Sequence, residues 1–157
     1  MNADNPWLDG ISDKDLILAR EPVTKLTQQI IENLVSEGEE AMRRKDLNRL
    51  MSLLAPDFKY LGPEIRFGKR ELIEGNRDRF RIGVSGTFAT SDLSSYSLRI
   101  ASFENVSPHS AEVTLVVKIP GDDEFTKQFG NEIKEKIYVS LYHERPVISR
   151  LEIESAS

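Results

Sequence analysis

The chain has 157 residues, 39% of them hydrophobic and 30% charged, with 26 acidic against 21 basic side chains for a formal net charge of -5. A chain of this length buries enough surface to fold without a metal or disulfide staple, and its acidic balance repels polyphosphate, so nucleic acid is not an expected partner. Having no cysteine, it excludes disulfides, thiolate metal sites and cysteine nucleophiles.

Residues 1–15 carry Asp4, Asp9, Asp13 and Asp15 and no apolar run, which does not match a secretory h-region. No later stretch approaches the ~18 apolar residues of a membrane span, so we expect a cytoplasmic protein with no membrane partner. Residues 1–21 read as an N-terminal arm, with Trp7 covering a nearby groove, and residues 22–157 as a single domain.

From Pro22 the apolar residues Val23, Leu26, Ile30, Ile31, Leu34, Val35, Ala41 and Met42 recur at spacings of three and four, which predicts a long amphipathic helix. Asp46 is placed to cap a second helix bearing Leu47, Leu50, Met51 and Leu54, which Pro56 ends. A short strand over 57–61, a Gly62-Pro63 turn and a partner strand over 65–67 follow, and then a third helix over about 69–82. Arg70, Arg77 and Arg81 would share one face of that helix, as a solvated charged surface.

Beyond Gly86 the period becomes two. Tyr96, Leu98 and Ile100 predict one strand, Val113, Leu115, Val117 and Ile119 a second, Ile133, Ile137, Val139 and Leu141 a third, and Val147, Leu151 and Ile153 a fourth. Arg145-Pro146 is the expected turn between the last two. Short connections favour antiparallel neighbours, so the fold class is α+β, with early helices packed on a curved antiparallel sheet.

Asp46-Leu47, Leu53-Leu54-Ala55-Pro56-Asp57-Phe58, Tyr60-Leu61-Gly62-Pro63-Glu64 and Gly68-Lys69-Arg70-Glu71-Leu72 resemble a stretch shared by many members of the nuclear transport factor 2-like superfamily. That superfamily includes ketosteroid isomerases, polyketide cyclases (the SnoaL-like branch) and the kinase II association domain. The resemblance covers about Pro22 to the C-terminus. It implies a cystatin-like cone whose open end is a pocket, with the Phe58, Tyr60 and Gly62 face of the first strand, Leu34 and Phe80 as the expected pocket wall. A fold of this kind specifies architecture rather than chemistry.

A ketosteroid isomerase needs a carboxylate base and acidic donors at the enolate oxygen. Its motif, laid on this chain with Asp46-Leu47 and Pro63 as fixed points, puts the base at Gly62 and the helical tyrosine donor at Gly38. Neither glycine can move a proton, so the resemblance implies binding of an apolar small molecule or a protein partner without catalysis. It also suggests a homodimer through the outer sheet face, where Val113, Val116, Tyr138 and Tyr142 are the candidate apolar surface.

The rival is a small isomerase, cyclase or dehydratase using Tyr60, Glu64 or His143, with Tyr138 and Tyr142 as further hydrogen-bonding groups. It predicts a polar group with a shifted pKa deep in the cone. A third reading is an oligomerisation domain. With two histidines and no cysteine, we expect no metal and no cofactor. The loop over 121–131, with Phe125 and Phe129, is a candidate lid.

Overall fold

The structure is a computed structural model that describes residues 13–119 and 132–156; Trp7, Phe125 and Phe129 lie outside the described residues. The order of elements is α1 (Asp13–Leu18), α2 (Gln28–Arg44), α3 (Leu47–Met51), β1 (Leu54–Arg66), β2 (Lys69–Asn76), α4 (Arg77–Thr90), β3 (Ser97–Glu104), β4 (Ser110–Lys118), β5 (Glu132–Tyr142) and β6 (Arg145–Ala156). Among the described residues no helix is long and apolar enough to cross a membrane.

The second part of the arm is docked. Ile17 of α1 is fully buried against Ala55 and Val147, and the Arg20 guanidinium donates to the Pro146 carbonyl at 2.6 Å. The long helix starts later than Pro22 suggested, because Thr27 is its cap and accepts from the Ile30 amide at 3.2 Å. From there Ile31, Leu34, Val35, Gly38 and Ala41 form a buried stripe, the i, i+3, i+4 pattern of a helix laid on a core. Asp46 caps α3 as expected, accepting from the Arg49 amide at 3.1 Å.

The largest departure from the sequence expectations is the hairpin that follows. Gly62-Pro63 does not turn the chain; β1 runs through it to Arg66 and pairs antiparallel with β2 from Lys59↔Asn76 to Arg66↔Lys69. The turn is Phe67-Gly68, where both residues have positive φ (50° and 76°), the backbone that a two-residue type I′ hairpin requires. Beyond Leu61 the pairing of β1 with β6 stops, so Pro63 lies where β1 has only one partner and a missing amide is tolerated. Residues 69–76 are thus an edge strand instead of the first turns of a helix. Their charged residues, among them Lys69, Glu71 and Glu74, suit an open edge and imitate a solvated helix face. The third long helix, α4, begins only at Arg77, capped by Asn76. Arg77 is buried and donates to the Met51 carbonyl, so no cationic stripe of Arg70, Arg77 and Arg81 forms on one helix.

Six strands make one sheet in the order β2-β1-β6-β5-β4-β3. The four C-terminal strands form the expected antiparallel meander, while β1 and β6 pair in parallel, so the sheet is mixed. The β5–β6 turn is His143-Glu144, both at positive φ, and Arg145-Pro146 belongs to β6. Register shifts between Ile100 and Ser102, between Lys134 and Glu135, and between Tyr138 and Val139 are β-bulges, which bend and coil a sheet. The concave face that results receives α2, and the main core lies between them, built on Ile31, Leu34, Val113, Leu115, Ile137 and Val139.

Candidate functional site

Alternation along the strands sorts the sheet into two faces. On β4, Ala111, Val113, Leu115 and Val117 are buried, and Glu112 and Lys118 are not. On β5 the same inner row reads Ile133, Glu135, Ile137 and Val139. Glu135 therefore enters the apolar face of the sheet, in register with Leu115 of β4 and Ile153 of β6.

The core is not filled there. A cavity of about 230 Å³ opens between α2, α4 and the sheet. Gly38 and Met42 of α2 form one wall, Phe80, Val84 and Thr87 of α4 a second, and Leu115, Val117, Leu151 and Ile153 the sheet floor. Tyr96, just before β3, and Glu135 complete the lining. Among the described residues no lysine, arginine or histidine lines the cavity.

Glu135 makes no hydrogen bond or ion pair with any described residue, and its side chain lines the cavity. The residue as a whole is half-buried, but its carboxyl stands against the cavity wall, and desolvation there pushes it up to about 7, because the low-dielectric wall disfavours the charged form. Tyr96 is buried, and its phenol is pushed well above its ordinary value, first by burial and then by the charges of Glu135 and Glu39. Glu39 is itself occupied: it accepts from the Leu98 amide at 2.9 Å and lies 3.8 Å from the Arg43 guanidinium. The site is thus an apolar hollow in which, among the described residues, one carboxyl without a partner stands beside a neutral phenol.

A scan against protein-family models matches none, and a search of curated proteins finds no relative. Solved structures do match. A nuclear transport factor 2-like protein of unknown function from Silicibacter pomeroyi is 18% identical, with a TM-score of 0.61 over 81% of this chain and 93% of that one. One from Shewanella baltica is 10% identical, with a TM-score of 0.63 over 82% and 93%, and one from Shewanella oneidensis is 17% identical, with a TM-score of 0.61 over 82% and 98%. The chain has the nuclear transport factor 2-like fold.

Within this nuclear transport factor 2-like cone, the residues singled out from the sequence fall in different places. Phe80 lines the cavity. Phe58 and Tyr60 stand behind it, with ring centroids 5.1 and 5.5 Å from that of Phe80 in edge-on contact, and Leu34 is buried in the core. Gly38 is in the cavity wall; Gly62 lies on β1, where an added Cβ would come within 3.3 Å of Ile153 and of Tyr60. Glu64 is on β1 opposite Glu71, and His143 is exposed in the β5–β6 turn with its ring 4.5 Å from that of Tyr142. Tyr60 and His143 are therefore not brought together around the cavity, and Glu64 belongs to the part of β1 beyond its pairing with β6.

The outer sheet face differs from the apolar surface expected for a dimer. Val113 points inward and is fully buried. Lys136 lies 3.6 Å from Glu104, 3.6 Å from Glu112 and 3.9 Å from Glu154, and Tyr138 hydrogen-bonds Glu152 at 3.3 Å. Arg150 pairs with Glu152 at 2.6 Å and Glu74 at 3.0 Å.

Glu135 and Tyr96 are not among the sequence candidates for the site. A signal for Glu135 exists nonetheless: Ile133, Ile137 and Val139 set an inward parity, and residue 135 shares it.

Proposed function

We propose that the cone binds an apolar small molecule of roughly ten non-hydrogen atoms, by proportion to the ~150 Å³ cavity that accepts one benzene ring. The observation that carries this reading is the hollow between α2, α4 and the sheet, walled mainly by aliphatic and aromatic side chains with Glu135 and Tyr96 among them, since a largely apolar vacancy with a few polar groups accepts apolar guests. The ligand is held without being transformed, because the positions that the isomerase motif assigns to its base and helical donor are Gly62 and Gly38.

The test is methyl NMR of protein labelled at Ile, Leu and Val, titrated with octanol. Shifts should concentrate on Leu53, Leu115, Leu151 and Ile153, with Val116 on the outer face unmoved. Uniform small shifts, or none at millimolar octanol, would end the reading.

A second reading draws on the Glu135 carboxyl. A carboxyl held near neutrality is suited to general acid-base work, as the isomerase, cyclase or dehydratase alternative requires. It predicts that the protein accelerates exchange of the α-hydrogens of an apolar ketone such as cyclohexanone, and that Glu135→Gln abolishes this. Exchange no faster than in buffer removes it for that substrate class.

A further inference from the structure

A buried carboxylate is tolerated when something of opposite charge shares its site. On the outer face of the sheet this rule is obeyed, with Lys136 among three glutamates. At Glu135 the described residues supply no such partner: the cavity lining holds no basic side chain, and the surrounding residues are Leu115, Ile137 and Ile153. The arginine closest to the site by its bonding, Arg43, is committed to Glu39 and to the Tyr96 carbonyl, to which it donates at 2.6 Å.

The strand holds this residue inward by regular alternation: β5 pairs with β4 without a break through Leu115↔Glu135, and Glu135 shares the parity of the buried Ile133 and Ile137. The carboxyl is thus placed on the cavity by the pleat itself, with no counter-charge among the described residues.

We infer that the missing counter-charge arrives with the ligand: the cone takes an apolar molecule bearing a single protonated amine, whose ammonium pairs with Glu135 while its hydrocarbon fills the hollow. This deepens the binding reading and rests on it. The chemistry of the lining favours a cation over the other head groups. An anion would meet Glu135, with Glu39 nearby and, among the described residues, no base in the lining to receive it. A neutral alcohol donates one hydrogen bond to the carboxylate and leaves its charge uncompensated, whereas an ammonium brings three donors and the opposite charge. Tyr96, kept neutral, adds an aromatic ring and a hydroxyl beside the head group without adding charge.

The groups that set the pH dependence are Glu135 on β5, Tyr96 before β3, and the Glu39 and Arg43 pair on α2; Phe80, Val84 and Thr87 of α4 and the lining residues of β4 and β6 carry no charge. An alkylamine, like a lysine side chain, stays protonated to about pH 9. The preference for the amine should therefore be full at about pH 8.5, where Glu135 is ionised, and fade towards about pH 5.5, where it is protonated.

The experiment is calorimetric titration of the full chain with octylamine, octanol and octanoate. At about pH 8.5 octylamine should bind at least ~10-fold more tightly than octanol, with octanoate weakest, and its advantage should fall to about 2-fold at about pH 5.5. Octylamine binding at neutral pH should release protons to the buffer, because it drives Glu135 to its ionised form. Glu135→Gln should keep octanol binding and lose the preference for the amine. Equal binding of octanol and octylamine at the higher pH, or an unchanged preference in Glu135→Gln, overturns the amine assignment and leaves the binding reading standing. Failure of all three compounds to bind overturns both.

Discussion

The two faces of β5 treat the same residue type in opposite ways. On the outer face Glu104, Glu112 and Glu154 surround Lys136, and the lysine is held above its ordinary pKa, chiefly by Glu104. One residue away on the inner face, Glu135 has no cation among the described residues and is pushed up to about 7 by burial. Side chains on successive residues point to opposite faces, so a step of one residue separates a solvated ion-pair network from an unpaired carboxyl. A glutamate's meaning here is set by its parity in the strand, and the cavity is what lets the inner one exist.

The strongest way to break that comparison is to place a carboxylate on the inner face away from the cavity. Val113 is fully buried and lies outside the cavity lining, so Val113→Asp would have neither a hollow nor a partner. We expect a loss of about 4 kcal/mol or more, or failure to fold, read by urea denaturation. A loss below about 1 kcal/mol would show that the inner face accepts charge generally and that Glu135 is not special.

Removing the charge from Glu135 should act in the other direction. Its folded pKa of about 7 lies above the ordinary 4.5, so the folded state holds its proton more tightly than the unfolded chain. Below about pH 4.5 both states are protonated and the carboxyl favours neither. Between about 4.5 and 7 the unfolded chain loses its proton first, and stability falls as pH rises; above about 7 the full penalty, on the order of 3 kcal/mol, is present. Glu135→Gln should therefore match the parent near pH 4 and exceed its stability by that amount near pH 8. Parallel pH profiles for the two proteins would mean that the carboxyl is solvated or paired.

Gly38 and Gly62 sharpen the contrast within the cone itself. A Cβ at Gly38 would meet Leu53 and Leu98 at 3.7 Å, ordinary contact distance, whereas one at Gly62 would come within 3.3 Å of Ile153 and Tyr60. Gly38→Ala should stabilise α2 by up to about 1 kcal/mol through helix propensity and weaken octanol binding slightly by narrowing the wall. Destabilisation on thermal or urea melting would show that the wall is tighter at Gly38 than these contacts imply.

Much of this architecture was legible from periodicity. The stripe of α2 and the alternation of β3 to β6 were visible because each element buries one continuous face. The β1–β2 hairpin was hidden because Gly62-Pro63 is a strong turn signal that this strand absorbs where it has only one neighbour, and because an edge strand is charged in the way a helix surface is. Glu135 was hidden differently. It sits in the run Lys134-Glu135-Lys136, which reads as surface, and only the isoleucines at 133 and 137 reveal that it points inward. His143 looked like a candidate acid or base because sequence alone does not show that it occupies a left-handed turn position.

The smallest effect belongs to the outer network. Lys136 shares its charge among three carboxylates, but the group is open to water, where an ion pair contributes little and ions screen it. Lys136→Met should lower stability by an amount smaller than the change from any of the inner-face variants, and the loss should vanish at about 1 M salt, where the Debye length is only ~3 Å. The Glu135→Gln gain near pH 8 should survive the same salt, because mobile ions do not enter an apolar hollow to relieve a desolvated carboxylate. Paired urea denaturation of the two variants at low and high salt separates the faces directly. If salt erased both effects alike, Glu135 would be as solvated as Lys136, and the difference between the two faces of β5 would be one of position without a difference in physics.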